Sequence, residues 1–387
     1  MQIVYIYPHY AKKAGTERML IDKMNWLTSQ GHHVVALSYE QGNHPFAFSL
    51  SPSVECVDLN VRFFPLYQMS IIKRLFMLFF KRKVLRKALE TFLYEHKPDL
   101  IICTTYTPFV IRMLGRLCPS MNIPFVIESH VSCFSNSMTY KFRHRPIIHF
   151  FTTLFDNWTL GNVSRANLLI ALTKGDASEW QRYIDRILVI PNPLSFYPKN
   201  VTLHDVCRHR ILCVGRLHEQ KGFDMLIDAF AMVAHQCPEW HIDIIGEGSE
   251  KTMLEEKISR CQLKNRISLC PLTDSISDEY MQSDFFVLSS RYEGFALVLL
   301  EAMSCGIPCV AFNCKYGPED VIEDGVDGLL VEDGNIKALS EKMLWMITHE
   351  KERKEMGFIA RQSVARYKKE NVMKEWESAY LSVLDSK

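Results

Sequence analysis

Ser290-Arg291-Tyr292-Glu293-Gly294-Phe295-Ala296-Leu297-Val298-Leu299-Leu300-Glu301-Ala302-Met303 decides how this chain is read. Two carboxylates stand eight residues apart, separated by a Gly-aromatic-small turn and an almost wholly apolar stretch. A run so continuously apolar predicts a buried helix, not an amphipathic surface one. Its first turn is expected near Phe295 to Leu297, where backbone N–H groups lack intrahelical partners and the helix dipole favours an anion. Glu293 then falls in the loop before that anion site, where water solvates it cheaply. Glu301 falls about two turns in, and a carboxylate among such neighbours is costly unless paired or hydrogen-bonded. A phosphate at the helix start, with a carboxylate on each side, suits a sugar nucleotide. Carboxylates are good acceptors for paired hydroxyls, on a hexose or on a ribose.

Four further segments stand in a consistent order around this run. Ile211-Leu212-Cys213-Val214-Gly215-Arg216-Leu217-His218-Glu219-Gln220-Lys221-Gly222 and Ile244-Ile245-Gly246-Glu247-Gly248 precede it. Ser304-Cys305-Gly306-Ile307-Pro308-Cys309-Val310-Ala311 and Asp324-Gly325-Val326-Asp327-Gly328-Leu329-Leu330-Val331 follow it. Near the front lies Ala14-Gly15-Thr16-Glu17-Arg18. Together these resemble the retaining glycosyltransferases of family 4, of bacterial polysaccharide-assembly type, with the E-x7-E run as their signature. The resemblance covers nearly the whole chain and is most specific in the second half. It implies an α/β, GT-B fold with two Rossmann-like, doubly wound domains facing across a cleft. The expected domains are residues 1–192 for the acceptor, 193–368 for the nucleotide sugar, and 369–387 as a helix crossing back to the first domain.

Composition agrees with a soluble globular protein of two domains. A chain of 387 residues exceeds one ordinary core, and 48% hydrophobic with 23% charged residues is normal for a globular protein. A net charge of +1 gives no global argument for nucleic acid. The 12 cysteines show no CxxC pair, so scattered reduced thiols in a cytoplasmic protein are expected, and Cys305, Cys309 and Cys314 lack a nearby His for zinc. The chain opens directly with a strand, Gln2 to Tyr7, leaving no room for a signal peptide. No run approaches the roughly 18 apolar residues of a spanning helix.

Alternating apolar and helical stretches organise both halves. Strands are expected at Val34 to Leu37, Leu100 to Cys103, Phe125 to Ile127 and Leu168 to Ala171, with helices at Met19 to Ser29 and Arg74 to Tyr94. The second half repeats the scheme with strands at Ile211 to Val214, Ile242 to Ile245, Ile267 to Leu269, Phe285 to Leu288 and Pro308 to Phe312. This alternation predicts βαβ units and parallel sheets, with glycine turns at the carboxyl edge where such sheets bind ligands. Pro191-Asn192-Pro193 marks the break, and a helical tail runs over Glu350 to Leu384.

Breaking a bond to a diphosphate leaving group requires neutralising the charge that grows there. The chain has no D-x-D element for a metal. Arg216 and Lys221, beyond a strand-Gly turn, are the candidate fixed cations, one a planar fork and the other a point charge. As solvated loop cations they would do nothing. The resemblance implies no metal or other cofactor, Glu293 on the donor sugar's hydroxyls and Glu301 on the ribose. It further implies Gly294, Phe295, Ala296 and Leu297 around the diphosphate. Gly246 and Gly248, too incomplete for a dinucleotide turn, would line the nucleobase or diphosphate. Gly15 would form the opposing wall by close backbone approach. His130, after a strand in Glu128-Ser129-His130, would orient sugar hydroxyls or stabilise the transition state; as a core histidine it would be structural. No carboxylate pair at glycosidase spacing argues for a covalent intermediate. Ala14, Ala296 and Pro271 depart from residues common in the family. Tyr316-Gly317-Pro318-Glu319 resembles a segment of cell-envelope polysaccharide members.

The donor expected is a nucleoside diphosphate sugar, a UDP-sugar first, and the acceptor a saccharide or lipid-linked saccharide. Residues 73–87 mix cations with large apolar side chains and suit an anionic membrane surface at the cytoplasmic face. Lys141 to Phe155 has a similar mixture. Alternatives are a sucrose- or glycogen-synthase-like transferase, for which the chain is short, and a non-catalytic sugar-nucleotide-binding protein. A dehydrogenase would need a complete G-x-G-x-x-G after the first strand, which Tyr7 to Gly15 lacks.

Overall fold

The protein was described from a computed structural model, which covers residues 1–105, 107–133, 148, 152–153, 156–157, 160–199 and 207–385. Most of the basic-apolar stretch expected over residues 141–155 lies outside the described residues. The chain divides into two compact units, Met1–Ile190 with Met373–Lys387, and Pro191–Val372. The sequence places the first break at 192/193 and the return at 369.

In the first unit, strands β1 (Gln2–Tyr7), β2 (His33–Ser38), β3 (Glu55–Asp58), β4 (Leu100–Thr104), β5 (Phe125–Ser129), β6 (Leu168–Ala171) and β7 (Ile187–Val189) form one parallel sheet ordered β3-β2-β1-β4-β5-β6-β7. Strands β4, β5 and β6 are buried at every residue, as expected where both faces of a parallel sheet are covered. The edge strands β3 and β7 are half-exposed and short; β3 has no continuous apolar run, and β7 is apolar but only three residues long. Helix α1 (Gly15–Ser29) follows β1, and the long helix α2 (Ile71–His96) packs Met77 and Leu78 against the core and is fully buried only at positions from Leu85 onward.

The expected single tail is two helices, Glu350–Ser363 and Lys369–Leu384, parted by a 3-10 turn at Val364–Tyr367 and an extended Lys368. Its last part belongs to the first unit, where it covers buried charge. Lys23 on α1 and Glu128 on β5 are both fully buried and meet at 2.8 Å. Tyr380 donates to the other Glu128 oxygen at 2.6 Å, Tyr5 and Tyr380 hydroxyls meet at 3.0 Å, and the Lys23 ammonium sits 3.0 Å from the centre of the Trp376 ring. Burial alone would raise the Glu128 pKa; Lys23 and His130 outweigh it and bring the group from 4.5 down to about 2.

In the second unit, β8 (Arg210–Val214), β9 (His241–Ile245), β10 (Ile267–Cys270), β11 (Phe285–Leu288), β12 (Cys309–Phe312) and β13 (Gly328–Val331) form a second parallel sheet, ordered β10-β9-β8-β11-β12-β13. The chain order reverses between β8 and β11, so a crevice opens beyond the carboxyl ends of those two strands. Among the described residues no helix is long and apolar enough to cross a membrane.

Because a depressed carboxylate pKa stabilises above the unfolded value, the Glu128 contribution is complete above about pH 4.5 and is lost as pH falls toward 2. Lys23→Met removes the cation and leaves Glu128 buried and charged. The expected cost in urea unfolding at pH 7 is about 3–5 kcal/mol. That deficit should shrink at pH 4, where Glu128 in the variant takes up a proton.

Candidate active site

Helix α3 (Leu297–Ser304) opens two residues later than Phe295 and is buried from Leu299 to its end. Glu301 therefore lies little more than one turn in. It is 9% exposed, and the Tyr280 hydroxyl donates to its Oε2 at 3.3 Å. Tyr280 is itself fully buried, and burial followed by the neighbouring Glu301 charge pushes its pKa well above 10. The Leu297 N–H turns back to the Phe295 carbonyl at 2.8 Å, and the Leu299 N–H to Ala296 at 2.9 Å. Phe295 and Ala296 are buried, while Gly294 and Leu297 are half-exposed at the mouth of the turn.

Glu293 is not the water-exposed loop carboxylate that its position suggested. It is 6% exposed and accepts from Lys221 Nζ at 2.7 Å and from Ser290 Oγ at 2.6 Å, both on Oε1. Its backbone is held as well, with its N–H on the Lys315 carbonyl at 2.6 Å and its carbonyl accepting from Tyr316 N at 3.0 Å. The loop after β11 is thus closed down on the loop after β8, and water is replaced by a cation and a hydroxyl.

Three more contacts fasten these loops. Arg291 forms a two-pronged pair with Asp224 at 2.8 and 2.7 Å, and the Gln220 amide donates to the Tyr292 carbonyl at 3.0 Å. Gly222 has φ +61, and a Cβ there would lie 2.0 Å from the Ser289 carbonyl oxygen, so glycine is required on both counts. Arg216 is exposed, with Nη2 at 3.4 Å from Gln220 Oε1. Lys221 and Arg216 thus differ: one is pinned beside Glu293, the other projects from the loop.

Gly246 and Gly248 have a structural reason of their own. A Cβ on Gly246 would stand 1.9 Å from the Gly215 carbonyl oxygen, and one on Gly248 2.2 Å from that of Leu217. The ladder between these segments continues past the strands through Leu217 N to Glu247 O at 2.9 Å. Close backbone packing of the loops after β8 and β9 therefore demands both glycines, whatever else they touch.

Gly15 opens α1 at an exposed position, with Ala14 extended before it. Two residues on, Glu17 is buried and accepts from Tyr7 at 3.3 Å, and burial raises its pKa. The His130 side chain is 2% exposed, with Nε2 at 2.6 Å from Glu128 Oε2. Burial, then the Lys23 charge, lowers its pKa, so the ring is neutral at pH 7. Since Glu128 is ionised and only accepts, the proton belongs on Nε2 and Nδ1 is left as an acceptor. Lys23, Tyr280, Ser290 and Tyr380 were missed in the sequence. Lys23 had a signal: it occupies the apolar face between Met19 and Leu27, where a lone cation must be paired.

Residues 199–363 match the family of glycosyl transferases group 1, and residues 14–195 match Glycosyltransferase Family 4. The chain belongs to the family 4 glycosyltransferases of the GT-B fold. It is 27% identical to an uncharacterized glycosyltransferase of Haemophilus influenzae over 97% of this chain and 99% of that one. An amylovoran biosynthesis glycosyltransferase of Erwinia amylovora is 36% identical over 44% of this chain and 47% of its own. Among solved structures, a sucrose-phosphate synthase from Thermosynechococcus elongatus superposes over 100% of both chains with a TM-score of 0.79 at 19% identity. Length therefore does not separate this chain from enzymes of that kind. HepE of Anabaena in complex with UDP superposes over 99% of this chain and 100% of its own, with a TM-score of 0.75 at 19% identity.

Lys221→Met should strand the Glu293 carboxylate and cost the second unit about 3 kcal/mol in urea unfolding. Adding Glu293→Gln should recover at least half of that loss. No recovery in the double variant would mean that the lysine acts through packing of its stem, not through its charge.

Proposed function

We propose that this glycosyltransferase takes its sugar from a nucleoside diphosphate sugar, a UDP-sugar first, and retains the anomeric configuration without a metal. The observation that bears most weight is the Lys221–Glu293 pair at 2.7 Å beside the switch point of the second sheet. An ammonium has three donors and Lys221 spends one on Glu293, leaving others for diphosphate oxygens. Arg216 adds a planar fork from the exposed side of the same loop. Lys221, held by Glu293, needs no reorganisation as the leaving diphosphate gains its charge, whereas the exposed Arg216 closes onto it from the loop.

The carboxylates divide the remaining work. Glu293, held by Lys221 and Ser290 through Oε1, presents Oε2 to hydroxyls of the transferred hexose. Glu301, braced by Tyr280, takes the ribose hydroxyls. Gly294, Phe295 and Ala296 offer backbone N–H groups to the phosphates, while that of Leu297 is spent on the Phe295 carbonyl. Gly246 and Gly248 supply close backbone walls in the second unit, and Gly15 opens the first helix of the first unit. His130 offers Nδ1 as an acceptor to a sugar hydroxyl, its other nitrogen being fixed by Glu128. The departing phosphate takes the acceptor's proton, so no enzyme nucleophile is used.

The acceptor in this reading is a saccharide, lipid-linked, in the synthesis of a cell-envelope polysaccharide on the cytoplasmic side of the membrane. The Erwinia relative's role in amylovoran biosynthesis and the Tyr316-Gly317-Pro318-Glu319 segment support it. The UDP held by HepE of Anabaena supports the choice of nucleotide.

Calorimetry with UDP, GDP and ADP in the presence of EDTA tests the donor site. One nucleotide should bind in the micromolar range, and Arg216→Ala and Glu301→Ala should each weaken it at least tenfold, about 1.4 kcal/mol. Binding that appears only when a divalent metal replaces the EDTA would overturn the metal-independent reading. Equal binding by the variants would overturn the site.

A further inference from the structure

We propose that Asp176 is the residue that positions His130: its two carboxylate oxygens hold the two ends of the segment Ser129–Cys133 and so fix where the imidazole stands. The proposal rests on the reading of His130 as an acceptor for a sugar hydroxyl, and adds a residue which that reading does not use.

Strand β5 ends at Ser129, and the chain beyond it is held from the ends of both neighbouring strands. On the β4 side, the Thr105 hydroxyl accepts from the Val131 N–H at 3.2 Å and donates to the Val131 carbonyl at 2.7 Å. On the β6 side, Asp176 stands in the short helix Lys174–Trp180, where its own N–H donates to the capping Thr173 hydroxyl at 3.2 Å. Its Oδ2 accepts from Ser129 Oγ at 2.5 Å, and its Oδ1 accepts from the Cys133 N–H at 2.7 Å. The Trp180 indole N–H enters the same corner, 2.8 Å from Ser129 Oγ and 3.1 Å from Asp176 Oδ2. Ser129, Asp176 and Trp180 are each 1% exposed, so water does not compete for these bonds.

Glu128 does not do this alone. Its bond to Nε2 sets the tautomer of His130, but a contact at the tip of a side chain does not place the backbone that carries it. Asp176 supplies that placement at a cost. Burial raises its pKa to about 6 against the pull of Ser129, the Cys133 N–H and Trp180, so the group is ionised at pH 7 although burial disfavours the charge. What the charge provides is an acceptor on each oxygen. An amide of the same shape has only one. Whichever way it is turned, its NH2 group faces either the Cys133 N–H or the indole N–H, and one end of the segment is released.

Carbethoxylation of the full chain by diethyl pyrocarbonate at pH 7, mapped by mass spectrometry, tests the assignment without any substrate. The His130 side chain, 2% exposed, should be protected in the wild type. Asp176→Asn should speed its modification at least tenfold. Ser129→Ala, which frees one end and keeps the carboxylate, should speed it by a smaller factor. His32, held by Glu377 at 2.8 Å in the same unit, is the internal control and should keep its rate. An unchanged His130 rate in both variants would overturn the proposal. So would His130 and His32 accelerating together, since Asp176 would then stabilise the whole unit and position nothing. UDP release from UDP-glucose, UDP-galactose and UDP-N-acetylglucosamine separates the proposal from the reading beneath it. His130→Gln and Asp176→Asn should each slow release at least tenfold, and the double variant should be no slower than His130→Gln alone. His130→Gln at the wild-type rate would overturn the reading of His130 while the carbethoxylation result stands. A slowed His130→Gln beside an Asp176→Asn variant at full rate would overturn the positioning role alone.

Discussion

The contact between Lys221 and Glu293, 2.7 Å long and largely withdrawn from water, is the constraint on which the second unit's site depends. A parallel sheet of order β10-β9-β8-β11-β12-β13 opens a crevice between β8 and β11, and beyond those strands a backbone bond from Arg291 N–H to the Gln220 carbonyl, at 2.8 Å, links the two loops. Here a charge pair joins them, backed by the Arg291–Asp224 fork and by a glycine at φ +61 that lets backbone pass within contact of Ser289. Burying two charges costs several kcal/mol each, and the pair persists because each partner satisfies the other and Ser290 adds a third contact. The two loops are therefore held by the protein's own contacts.

The first unit repeats the device more deeply. Lys23 and Glu128 are fully buried, and the charge is enclosed by Tyr5, Tyr380, His130 and the face of Trp376. Two of those groups come from the last helix, so the chain's return to its first unit completes a polar network as well as a hydrophobic one. Removing the helix would expose an ion pair whose stability rests on the absence of water. The same network sets the protonation of His130, and with it the nitrogen that is free to accept.

Most of the architecture was legible in the sequence. Fully buried parallel strands such as Leu100–Thr104 and Leu168–Ala171 read as continuous apolar runs, and the carboxylates, cations and glycines of the second half stand in a recognisable order. Edge strand β3 did not show, because a half-exposed strand has no reason to be apolar throughout, and β7, though apolar, is only three residues long. The split tail did not show either, since Val364–Tyr367 contains no proline or glycine to announce a break.

The sequence by itself determined the α/β class, which follows from local periodicity, and the family, which follows from the resemblance of motifs standing in order along the chain. What the tertiary structure decided was how charge is paired: Glu293 inside, not in water, and Lys221 committed, not free. It also decided that Lys23, more than 100 residues from Glu128 in sequence, is its partner. Pairing energies depend on distance and on exclusion of water, and neither quantity exists until remote segments are brought together.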